Sequence, residues 1–122
     1  MLRRISGVLR GPPVPLTDAS LIPTTWKATT TQSASAAAPI AHIQRSFVFK
    51  DFHVAWAFMS SCVAFINAQD HHPEWFNVYN RVDVKLTTHD CKGVSVKDVA
   101  LAKHMDAMAL EAAASSHNAS HR

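Results

Sequence analysis

The sequence predicts an α+β domain, an antiparallel sheet with helices packed on one of its faces. Three observations carry this reading. Apolar residues alternate with polar ones around Ile43–Phe49 and again over Val82–Leu86, the period of a half-buried strand. They recur at helical spacing over Phe52–Ile66 and Leu101–Ala112. The order strand, helix, strands, helix, joined by short connections, favours antiparallel pairing with the helices on one side.

Taken in chain order, Met1–Arg10 comes first. It holds Arg3, Arg4 and Arg10 without an acid and is mildly amphipathic, in the manner of mitochondrial transit peptides, before Gly11-Pro12-Pro13 interrupts it. Residues 1–17 are therefore expected to be a leader or disordered tail, and the protein to be cytoplasmic or mitochondrial. A single domain is expected over 18–114, with Leu16–Lys27 folded back onto its body. The low-complexity run 28–41 (ATTTQSASAAAPIA) reads as a surface loop. Ile43, Arg45, Phe47 and Phe49 share one parity and predict a strand, after which Asp51 is a plausible helix N-cap.

The helix that follows has one stripe at Phe52, Trp56, Met59, Val63 and Ile66, and a second at Phe58, Cys62 and Phe65. A helix so apolar must be covered on more than one side, by another helix or another subunit, and its aromatics and methionine are read as core. Val82, Val84 and Leu86 alternate with Arg81, Asp83 and Lys85, a strand with one dry and one wet face. Trp75–Tyr79 is β-prone too, and Asn80 permits a bend between the two parts. Lys92-Gly93 is a turn. Ser95-x-x-Asp98 is a capping box opening a helix whose buried stripe is Leu101, Met105, Met108 and Ala112. The polar end, 115–122, is expected to be a disordered tail with His117 and His121 in solvent.

Composition narrows the function. The 122 residues, 48% hydrophobic, suit one small packed domain. Of the twelve Lys/Arg behind the formal charge of +3, three lie in the leader, so nine face nine acids from Asp18 onward. A folded surface this neutral argues against direct nucleic-acid binding. Cys62 and Cys91 are isolated thiols, consistent with a reducing compartment rather than a disulfide framework or zinc site. No uncharged apolar run approaches the ~18 residues a membrane span needs.

Chemistry concentrates in Asp70-His71-His72-Pro73-Glu74-Trp75 and in His89, at the two ends of one extended region. Imidazoles give and take protons near neutral pH without a metal. Pro73 biases His72 toward extended backbone, so the rings of His71 and His72 point to opposite sides and do not chelate one ion. No metal and no cofactor is expected. Asp70 could orient an imidazole, and Asp98 combines a capping role with a place beside a pocket. The functional reading requires that His71 or His72 converge with His89 on one cleft, with Trp75 as an apolar wall.

Several segments together carry a family resemblance: Phe49-Lys50-Asp51-Phe52, Asp70–Asn80 (DHHPEWFNVYN), Val84–Asp90 (VKLTTHD) and Gly93–Ala102 (GVSVKDVALA). Over roughly residues 26–109 the chain resembles the pterin-4a-carbinolamine dehydratases, a family that includes the dimerisation cofactor of a homeodomain transcription factor. The resemblance implies a four-stranded antiparallel sheet with about three helices on one face, assembled as homodimers or homotetramers. It implies dehydration of 4a-hydroxytetrahydrobiopterin to quinonoid dihydrobiopterin, a step that recycles the pterin used by aromatic amino acid hydroxylases. The catalytic candidates are His71, His72 and His89. The pterin-binding candidates are His71, His72, Pro73, Trp75, Thr88, His89, Asp90, Cys91 and Asp98, with Asp70 in support. Asn67 stands where the family commonly has a glutamate, Lys97 where an arginine is frequent, and the first family helix is reduced to Leu16–Pro23. The competing readings are a non-catalytic dimerisation or coactivator module and a metal-dependent hydrolase using the same histidines.

Overall fold

The computed structural model describes residues 13–30 and 38–119, so most of the leader, the centre of the low-complexity run and the last residues lie outside it. Four strands form one sheet: β1 (Lys27–Thr30), β2 (Ile40–Val48), β3 (Glu74–Val78) and β4 (Arg81–Leu86). Their order is β1-β2-β4-β3, antiparallel throughout. Two long helices, α1 (Phe52–Gln69) and α2 (Val96–Ala119), pair with each other and cover one face. The expected α+β architecture is present, with a correction in the helix count. The segment before β1 makes only a single 3₁₀ turn, Ala19–Leu21, capped by Asp18. Pro15 and Pro23 bracket a stretch too short to propagate a helix.

Register decides what each face carries. Ile43, Arg45 and Phe47 of β2 lie on the helix side with Val82, Val84 and Leu86 of β4, while Gln44, Ser46, Asp83 and Lys85 line the outer face. Phe47, Phe49 and Phe58 form the aromatic centre of the core, with ring centroids 4.7 Å apart for Phe47–Phe58 and 5.1 Å for Phe49–Phe58. Asp51 caps α1 by accepting from Val54 N–H at 3.0 Å, as expected.

Two expectations are corrected. The run 28–41 is not wholly loop: its first residues belong to β1 and its last two open β2. On α1, Val54, Phe58, Cys62 and Ile66 are buried, whereas Phe52, Trp56 and Val63 are 47%, 57% and 44% exposed. Periodicity identified two apolar stripes; Met59 and Ile66 of the first pack on the core together with Phe58, Cys62 and Phe65 of the second, and the rest of the first stays outside.

Candidate active site

The end of α1 places the first histidine. Asp70 adopts the left-handed conformation (φ 48°, ψ 45°), and its backbone N–H bonds back to the last turn. Asp is among the few residues that visit this region readily. The chain then reverses, His71 N–H donates to Ile66 O at 3.2 Å, and Pro73 leads into β3. The Asp70 side chain is 98% exposed and 3.8 Å from His72, not on His71. It terminates the helix and orients no buried ring.

His71 and His72 diverge as the sequence anticipates. The His71 side chain is 11% exposed, with Nε2 2.6 Å from Asp98 Oδ1; that of His72 is 63% exposed. Asp98, fully buried, is also the capping-box acid, receiving Ser95 N–H at 2.9 Å on Oδ2. Its capping and site-facing contacts therefore coexist. Thr88 Oγ1 donates to the same Oδ2 at 2.7 Å and lies 2.7 Å from Ser95 Oγ. The side chains of His71, Thr88, Ser95 and Asp98 thus form one buried polar cluster between the end of α1, the loop after β4 and the start of α2.

The loop carrying His89 is braced from below. Thr88 pairs with Gly93 through two backbone bonds, closing a 3₁₀ turn at His89–Cys91. A side chain at Gly93 would bring a Cβ to 2.9 Å from the Ile40 carbonyl oxygen, so this position needs glycine's small size. His89 leaves the turn for solvent, its side chain 85% exposed and Nε2 3.8 Å from Glu74 Oε2. The segments 70–74 and 88–98 therefore meet twice, through His71–Asp98 and through His89–Glu74. Asp90 is exposed beside them. Cys91 directs Sγ at Gly93 O, and burial raises its thiol above the usual range, which disfavours a nucleophilic thiolate.

Trp75 pairs with Val84, shares the helix side of the sheet and packs on the core as a partly buried residue. On the outer face a groove of about 770 Å³, lined by Lys27, Gln44, Glu74, Phe76 and Lys85 among others, reaches the site through Glu74. Among the described residues no three His, Cys, Asp or Glu side chains converge to hold a metal ion, and no helix is long and apolar enough to cross a membrane. Ser95 was missed as a site residue, although its capping-box position marked it. His42 lies on β2 near Glu74 and Lys85, outside the buried cluster. Partial burial and Lys85 lower its basicity, and no motif includes it.

Residues 17–108 match the family model described as pterin 4 alpha carbinolamine dehydratase. The chain belongs to that family. Proteins from Rhizorhabdus wittichii and Rhodospirillum rubrum, provisionally named as pterin-4-alpha-carbinolamine dehydratases, are 54% identical over 67 residues and 56% over 64. Those matches span 55% and 52% of this chain and 69% and 67% of the relatives. A crystal structure from Brucella melitensis, titled transcriptional coactivator/pterin dehydratase, is 42% identical with a TM-score of 0.60. It covers 70% of this chain and 83% of the Brucella chain. In this pterin-4a-carbinolamine dehydratase family member, the buried cluster draws on both motif regions of the sequence.

Proposed function

We propose that the chain dehydrates 4a-hydroxytetrahydrobiopterin to quinonoid dihydrobiopterin, recycling the cofactor of aromatic amino acid hydroxylases. The supporting observation is the double contact between the two histidine-bearing segments, His71 on Asp98 at 2.6 Å and His89 beside Glu74 at 3.8 Å. In the reaction the ring nitrogen loses its proton to a base and its electron pair forms a C=N bond. The C4a–O bond breaks, and the hydroxyl, protonated by an acid, leaves as water. Imidazoles near neutrality serve both halves. His71 and His89 are assigned the proton transfers, His72 the holding of the pterin, and Trp75 the shaping of the pocket. Stopped-flow dehydration of chemically generated 4a-hydroxytetrahydropterin tests this. His89→Ala is expected to lose about 10²–10⁴-fold in rate, and an unchanged rate would remove His89 from the mechanism.

A second reading, a module that docks a partner protein, has one observation behind it. Phe52, Trp56 and Val63 form an exposed apolar row along α1. The same row supports homodimers or homotetramers. Sedimentation of Trp56→Glu against the native chain is expected to show dissociation, and an unchanged mass would exclude this face.

A further inference from the structure

The support behind His71 extends past Asp98, and its hydrogen bonds have a direction. Thr88 has a single hydroxyl proton, and its Oγ1 lies 2.7 Å from both Asp98 Oδ2 and Ser95 Oγ. The proton goes to the carboxylate, so Thr88 accepts from Ser95. Ser95 Oγ in turn accepts from Lys97 N–H at 3.3 Å, and Ser95 N–H donates to Asp98 Oδ2 at 2.9 Å. Two donors thus occupy Oδ2, and Oδ1 is turned toward His71 Nε2. Thr88 is 4% exposed and Ser95 and Asp98 are fully buried, so the arrangement is shielded from solvent.

We propose that Ser95 and Thr88 are positioning residues for His71. Their hydroxyl relay clamps one oxygen of Asp98, and the other oxygen holds His71 as its Nε2–H tautomer. Nδ1 is then the nitrogen that takes the pterin's proton. An anionic acceptor at Nε2 requires the ring proton there, and a neutral imidazole has its lone pair on the opposite nitrogen. The kinetic part of this proposal rests on the dehydratase reading; the tautomer does not.

Nitrogen-15 correlation spectra of the full chain, recorded with the imidazoles neutral and assigned with His71→Gln, test it directly. The native chain is expected to show His71 protonated at Nε2. In Asp98→Asn, Thr88 and Ser95 N–H still require an oxygen acceptor, which turns the amide NH₂ toward His71. The tautomer is then expected to reverse and kcat to fall about 10²–10⁴-fold with KM little changed. Thr88→Val removes one clamp donor at nearly constant shape. It leaves Asp98 an acceptor, so the tautomer is expected to persist while the Nε2 proton exchanges with water faster and the rate falls roughly tenfold, the rate equivalent of one hydrogen bond, with Thr88→Ser restoring both. Ser95→Ala is expected to act in the same direction and serves if Thr88→Val does not fold. Protonation of native His71 at Nδ1 would overturn the proposal, as would native-like exchange of the Nε2 proton in both Thr88→Val and Ser95→Ala. Tautomer and proton exchange that respond as expected in a chain without pterin turnover would uphold the relay and reject the dehydratase reading.

Discussion

His71 and His89 differ in exposure by 11% against 85%, and they should differ in what their loss costs. Removing His71 strands a buried carboxylate oxygen, so His71→Ala is expected to destabilise the fold by about 1–3 kcal/mol. His89→Ala should stay within about 0.5 kcal/mol, as for other surface changes. Urea unfolding of the two variants checks the contrast. His42 offers a pH test. It is half-buried near Lys85, Gln44 and Glu74, with basicity lowered first by burial and then by Lys85. A histidine less basic folded than unfolded binds more protons when unfolded, so its share of stability is present above its ordinary value of 6.5 and is lost as pH falls toward the folded value. His42→Gln should flatten that acid-side decline in a series of thermal melts. At this scale much was legible: Pro73 foretold that His71 and His72 diverge, and the capping box foretold Asp98. The Ser95–Thr88 contact was not, because only the folded loop brings those hydroxyls together.

The helices and strands were legible where local chemistry dictates them. Asp51 before an apolar run marked the start of α1, and Asp51→Ala should cost about 1 kcal/mol in unfolding free energy through loss of the Val54 cap. β4 was evident from strict alternation. β1 was not, because Lys27–Thr30 has almost no buried face and is held through its backbone pairing with β2. Sequence composition does not record a pairing partner. Which stripe residues of α1 are covered was not legible for a related reason: a helix apolar on several faces leaves the choice to its neighbours, here the sheet and α2.

Across the whole molecule, Asp106 joins parts remote in sequence. It accepts from Trp26 Nε1 at 2.8 Å, Thr25 Oγ1 at 2.6 Å and Arg45 at 2.5 Å, while the Arg45 guanidinium also lies over Phe47. Asp106→Ala leaves those donors unmatched and should destabilise by about 1–3 kcal/mol, measured by chemical unfolding. A second long-range link lies under the site. Leu16 N–H donates to Val94 O, Val94 N–H to Ile40 O, and Ile40 N–H to Leu16 O. This ring of three amides stitches the amino-terminal segment beneath the turn that presents His89. Truncation that removes Leu16 should therefore loosen a turn more than seventy positions downstream.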